Sequence, residues 1–282
     1  MTHSDTYTSI TERIMELLEA GTIPWRKPWA SQSPRNLSSG KPYQGINTML
    51  LGAAPFHSPY WLSYQQARER GGYVRKGEKG WPITFWRFVE KDEDTRYGVL
   101  RHWTVFNCEQ CEDVDYPNPQ PKATAERIAA ADALLINMPN RPPIYHGGDR
   151  AFYHPSTDSV HLPALASFDP VESYYSVAFH ELTHSTGHPS RLDRPDTMKP
   201  SFGSHAYSKE ELIAEMGAAM LCGICGISPA TVENSAAYIQ TWLKALKDDK
   251  RLVIVAASAA QKAADYIRGV SVEEMDGDDD DL

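Results

Sequence analysis

The stretch that most constrains this chain is Tyr175-Ser176-Val177-Ala178-Phe179-His180-Glu181-Leu182-Thr183-His184-Ser185-Thr186-Gly187-His188. Its centre reads His-Glu-x-x-His, with apolar residues leading in. On an α-helix, positions i and i+4 share a face, so His180 and His184 aim both imidazoles at one point. The apolar approach predicts a buried helix, and buried His and Glu side chains need partners. A metal supplies one: two neutral imidazoles suit Zn2+, or another divalent ion such as Mn2+. Glu181 follows the first ligand, where its carboxylate reaches a metal-bound water without ligating. That is the place of a catalytic base for amide hydrolysis at neutral pH. Gly187 offers a helix stop.

Two histidines do not complete such a centre, because catalytic zinc sites have three protein ligands. The extended pattern His-Glu-x-x-His-x-x-Gly-x-x-His fails here, since Ser190 holds the last position. His188 is an alternative, but it sits on a turn broken by Gly187 and Pro189. The better source is the run Tyr207-Ser208-Lys209-Glu210-Glu211-Leu212-Ile213-Ala214-Glu215-Met216-Gly217-Ala218. Glu215 lies among apolar neighbours, where a charge must be paired or metal-bound. Gly217 and Ala218 allow close helix packing. Glu215 is therefore the expected third ligand. Glu211, one turn earlier, is the alternative ligand or the acceptor for a ligating histidine. Glu210 reads as an ion-paired or capping residue. Tyr207 either polarises a substrate carbonyl or simply packs.

The 282 residues suggest two domains. No apolar run reaches the ~18 residues of a membrane span, and the N-terminal stretch is unlike a secretory signal, so a cytoplasmic protein is expected. Four Cys form two Cys-x-x-Cys pairs, Cys108/Cys111 and Cys222/Cys225. The second pair lies in the apolar run Ala218-Ala219-Met220-Leu221-Cys222-Gly223-Ile224-Cys225. Reduced thiols acting as small hydrophobes are favoured over a metal site built from all four cysteines.

The net charge of −9 disguises an asymmetry. Residues 24–89 hold ten Lys/Arg against two Asp/Glu, a balance of +8, together with five of the seven Trp. Aromatic faces stack unpaired bases while cations follow phosphates, so this half reads as a binder of single-stranded DNA. The candidate contacts are Trp25, Lys41, Tyr43, Trp61, Arg75, Lys76, Lys79 and Trp81. The competing reading makes these Trp core residues and the Lys/Arg a solvated face. At the other end, Asp276–Leu282 is an acidic tail. It is too short to imitate the charge pattern of a duplex.

The first half reads as α+β. Helices are expected at 6–20, 48–54 and 60–70. Strands at 81–90 and 100–107 flank a polar excursion, 91–98. Three prolines at 117, 119 and 121 mark a linker. The expected units are thus 1–115, a linker at 116–121, a mainly helical domain at 122–270 with a small sheet from 144 to 163, and a disordered tail from 271. That sheet would offer an edge to an extended peptide.

Several stretches carry a family resemblance. Gly40-Lys41-Pro42-Tyr43-Gln44-Gly45-Ile46-Asn47, Trp61-Leu62-Ser63-Tyr64-Gln65-Gln66-Ala67, Val74-Arg75-Lys76-Gly77-Glu78-Lys79-Gly80 and Val105-Phe106-Asn107-Cys108-Glu109-Gln110 resemble the N-terminal domain of the ArdC antirestriction family. His180–Arg194, Phe202-Gly203-Ser204, Tyr207–Leu212 and Ala214–Ala219 resemble that family's zincin-like metallopeptidase domain. The resemblance implies single-stranded DNA binding, plasmid carriage and protection of incoming DNA from host restriction during transfer. Its partners would be single-stranded DNA and a host restriction component or other protein substrate, with no membrane. The alternative is a single-stranded DNA-binding protein with a structural metal and no peptidase activity.

Overall fold

A computed structural model describes residues 3–25, 33–92, 95–117, 123–194, 205–227 and 236–270. The acidic tail and most of the Pro-rich linker lie outside them. The chain is a two-domain α+β protein. Helix α1 (His3–Glu19) opens it, and β1 (Arg35–Asn36), α2 (Ile46–Gly52), β2 (Tyr60–Leu62), α3 (Tyr64–Glu69) and β3 (Tyr73–Val74) follow. The long hairpin β4 (Trp81–Asp92) and β5 (Thr95–Asn107) comes next, then β6 (Cys111–Glu112). One sheet has the order β1-β2-β5-β4, and β3 pairs with β6 in a second.

Two expectations are corrected here. Residues 60–70 are not one helix: Trp61 and Leu62 pair with Asn107 and Phe106 as a strand. Ser63 then starts α3 with a capping box, its hydroxyl accepting from the Gln66 N–H while Gln66 accepts from the Ser63 N–H. The hairpin strands also extend into the excursion expected at 91–98, with β4 reaching Asp92, β5 starting at Thr95 and the ladder continuing to the Asp92–Thr95 pair.

The second half contains α4 (Thr124–Asn137), β7 (Ile144–His146), β8 (Phe152–His154), β9 (Ser159–Leu162), α5 (Glu172–Ser185), α6 (His205–Cys225), α7 (Ala236–Asp248) and α8 (Leu252–Arg268). Its sheet has the order β7-β9-β8, with β7 parallel and β8 antiparallel to β9. The apolar faces of α5, α6 and α8 meet through Phe179, Leu182, Leu212, Met216, Val253 and Ala257, all fully buried. Cys222 and Cys225 form no disulfide and are buried in this core, as small hydrophobes.

Packing does not stop at the linker. Ile10, Ile14 and Leu18 of α1 belong to the same core as the C-terminal helices. Thr11 donates to the Lys250 carbonyl at 2.7 Å. The Trp25 indole N–H donates to the Tyr238 hydroxyl at 3.2 Å, and its ring meets Trp242 edge-on at 5.8 Å. The halves therefore share buried surface.

Candidate metal centre

The HExxH segment forms the last turns of α5, whose buried side carries Ala178, Phe179 and Leu182. Helix α6 crosses it closely. A Cβ on Gly217 would meet Thr183 at 2.6 Å, so only glycine permits this approach. The crossing brings α6 carboxylates to the two imidazoles. His180 Nε2 and His184 Nε2 stand 3.1 Å apart. Glu211 directs one oxygen to each, at 3.7 Å from His180 Nε2 and 3.7 Å from His184 Nε2.

Donor atoms about 2.0–2.2 Å from a tetrahedral ion lie roughly 3.3–3.5 Å from one another. With one atom taken from each residue, the three donors lie within 4.8 Å of one another, close enough for one divalent ion to gather. The three-residue cluster of potential ligands among the described residues is His180, His184 and Glu211. Glu215, the expected third ligand, is not part of this cluster. That side chain lies a turn beyond Glu211, and its carboxylate accepts from the Tyr238 hydroxyl at 3.1 Å. Its apolar sequence surroundings signalled a partnered charge, and the partner is a phenol. His188 is also turned elsewhere, its Nδ1 lying 2.8 Å from the Ser190 hydroxyl.

The second layer rests on residues whose role the sequence did not disclose. His184 Nδ1 donates to Glu210 at 3.3 Å, which leaves Nε2 to face the cluster. Glu210 is buried and ion-paired, as expected, and the cation is Arg194 at 2.8 Å. Arg194 also binds the Thr183 carbonyl at 3.0 Å and the Thr186 hydroxyl at 2.8 Å, so it closes the C-terminus of α5. Burial raises the Glu210 pKa, but the His184 and Arg194 hydrogen bonds outweigh it and hold this carboxyl below its ordinary value. Burial lowers His184, and the Glu210 hydrogen bond with the surrounding carboxylate charges more than offsets that.

Glu181 is 8% exposed and takes a hydrogen bond from the Tyr153 main-chain N–H on the edge strand β8. Burial pushes its carboxyl above the usual range. The His184 charge and the Tyr153 N–H pull it back, and Glu211 pushes it up. The β8–β9 turn is fixed to the loop after α5 by Arg191, which pairs with Asp158 and donates to the Ser185 carbonyl at 2.7 Å. Tyr207 lies on α6 at a position whose side chain is outside the described residues.

The basic half departs further from its composition. Trp25, Trp61 and Trp81 are buried, and Trp61 meets Trp81 edge-on at 6.4 Å. They form core, so they offer no face to a base. Arg75 is tied to Glu78 at 2.8 Å and to the Glu109 carbonyl at 2.7 Å, which makes it a brace of the basic turn. Tyr43 is half-buried, and burial pushes its hydroxyl up to about 12. Lys76 and Lys79 are exposed and Lys41 half-buried. The sequence reading passed over Trp103, which is 58% exposed. Its signal was a tryptophan in the polar run Arg101-His102-Trp103-Thr104.

Comparison with known proteins agrees with this architecture. Residues 4–125 match the N-terminal domain of anti-restriction factor ArdC, and residues 129–259 match a zincin-like metallopeptidase domain. The chain is 36% identical to uncharacterized protein y4eC of Sinorhizobium fredii (strain NBRC 101917 / NGR234), over 94% of this chain and 92% of that protein. It is 41% identical to a DNA primase TraC of Escherichia coli, where 92% of this chain spans only 26% of the relative. The crystal structure of metal-free antirestriction ArdC from the R388 plasmid superposes with a TM-score of 0.76 at 40% identity, covering 94% of this chain and 97% of that one. The Mn(II)-bound structure of the same protein gives 0.75. With both domains matched in order, and identity sustained along nearly the whole of both chains, this protein belongs to the ArdC antirestriction family.

Proposed function

We propose that this chain binds single-stranded DNA through its first half and cuts a protein substrate at the His180–His184–Glu211 centre, protecting DNA that enters a cell from restriction. The observation that carries the peptidase reading is the donor triangle with buried Glu181 beside it. The Mn(II) complex of the R388 relative supports a divalent ion here, and the two-imidazole, one-carboxylate donor set suits zinc or manganese. When bound, such an ion acts as a Lewis acid on a scissile carbonyl.

The chain's own residues supply the rest. His184, locked by Glu210 and Arg194, presents Nε2 to the ion. Glu181, oriented by the Tyr153 N–H, is the base that removes a proton from water. The edge strand β8 borders α5 and offers main-chain groups to an extended peptide. Single-stranded DNA binding rests on the excess of ten Lys/Arg over two Asp/Glu in residues 24–89. No described helix is long and apolar enough to cross a membrane. The proposed place of action is the cytoplasm of the receiving cell, where restriction meets incoming DNA.

The deciding experiment is Glu181→Gln in the full chain. Metal analysis is expected to show the same divalent ion content as the wild type. Plasmid transfer into a restricting host is expected to lose its protection. Protection retained in Glu181→Gln would leave the metal a structural role and overturn the peptidase reading.

A further inference from the structure

The β4–β5 hairpin changes character along its length. The cross-strand pairs Trp81–Val105, Ile83–Trp103 and Phe85–Arg101 project from one face, because opposed residues in an antiparallel ladder share a side and every second pair repeats it. Near the body this face is core: Trp81, Ile83 and Val105 are buried. One pair further out, the cover ends. Trp103 is 58% exposed, whereas Trp25, Trp61, Trp81 and Trp242 are all buried. Phe85 lies nearly parallel to Trp103, with centroids 6.0 Å apart and an interplanar angle of 15°. Arg101 is exposed on the strand opposite Phe85.

We propose that the Phe85–Trp103 stack and Arg101 form a base-stacking subsite for single-stranded DNA. This rests on the single-strand reading above and gives it a location that the composition did not. An exposed indole already stacked on a second ring is fixed by a rigid ladder, so it loses little freedom when a base joins it. Arg101 supplies a cation on the same strand and face as Trp103, two residues or about 7 Å along it, within reach of a phosphate of the stacked nucleotide. A duplex does not fit this chemistry, since its base faces are covered by their neighbours.

Charge also sets where on the hairpin the strand lies. The stretch from residue 90 to 96 holds four acidic residues against Lys91 and Arg96, a net negative charge that disfavours phosphates. Toward the body, the Arg13 guanidinium lies over Trp81 at 4.4 Å from the ring centroid and pairs with Glu16 at 2.7 Å. The strand is therefore placed at the Arg101 end of the hairpin, away from this acidic stretch.

The test uses the full chain and a fluorescent oligothymidine, read by anisotropy. Trp103→Ala is expected to weaken binding on the order of 5- to 150-fold. Trp103→Phe is expected to keep most of the affinity, because any flat ring stacks. Arg101→Ala is expected to lower the salt slope by about 0.7. The melting temperature and metal content of Trp103→Ala are expected to match the wild type, since the ring leaves a surface and not the core. If the wild type binds the oligonucleotide and Trp103→Ala binds it equally, the subsite is wrong and the single-strand reading survives. If the wild type does not bind it, both fall. Loss of self-association in Trp103→Ala with unchanged oligonucleotide affinity would assign the face to a second copy of this chain and overturn the proposal.

Discussion

The metal centre and the basic half were both signalled by chemically loaded residues, and the fold treats them in opposite ways. At the centre, function-bearing residues point where helical spacing sends them, because i and i+4 on one helix leave little choice. In the basic half, the Trp residues that carried the composition signal are packed inside, and aromatic surface is offered by a residue the composition did not single out. Tryptophan has two uses, bulk for a core and a face for stacking, and only burial separates them. A histidine pair beside a glutamate has fewer structural uses, so its pattern says more.

The sharpest way to break the comparison is at the third ligand. Glu211→Ala is expected to lower divalent-metal affinity on the order of a hundredfold, while Glu215→Ala should leave it nearly unchanged, as isothermal titration with Zn2+ and Mn2+ would show. The reverse order would return the ligand role to Glu215. On stability rather than metal affinity, the largest effect belongs to Trp61→Ala. Removing this buried ring is expected to cost about 3–5 kcal/mol in chemical denaturation. A normal unfolding midpoint with selective loss of oligonucleotide binding would mean that Trp61 contacts DNA after all. A smaller effect is expected at the centre's support, where Glu210→Gln should weaken metal binding by roughly 10- to 100-fold through a less well oriented His184. Unchanged affinity would reduce Glu210 to an ion-pair partner of Arg194. The smallest effect belongs to the basic turn. The pair Lys76→Glu and Lys79→Glu should weaken single-strand binding modestly and flatten its salt slope by about 0.7 per residue, with stability intact because both side chains are exposed. Arg75→Ala should instead destabilise the turn, since it loses Glu78 and the Glu109 carbonyl together.

The two halves differ again in how they are joined. The Pro-rich segment marked a linker between two units, yet Ile10, Ile14, Leu18 and Trp25 are buried with residues of the C-terminal helices. Amphipathic spacing disclosed that α1 has an apolar face. It held no information on which partner that face would meet, because burial against any apolar surface satisfies it.

The sequence by itself determined the HExxH helix, the divalent character of its ligand set, the closely packed glycine at 217, the mainly helical character of the second half and the family. All of these follow from local spacing or from residue types with few alternatives. Only the tertiary structure decided between Glu211 and Glu215, which share a helix face and differ by one turn. The crossing of α5 over α6 at Gly217 sets which turn lies beside the imidazoles. It alone paired Glu210 with both Arg194 and His184, and it alone separated Trp61 in the core from Trp103 in solvent. Those outcomes depend on contacts between residues far apart in the chain, and one-dimensional periodicity does not encode such contacts.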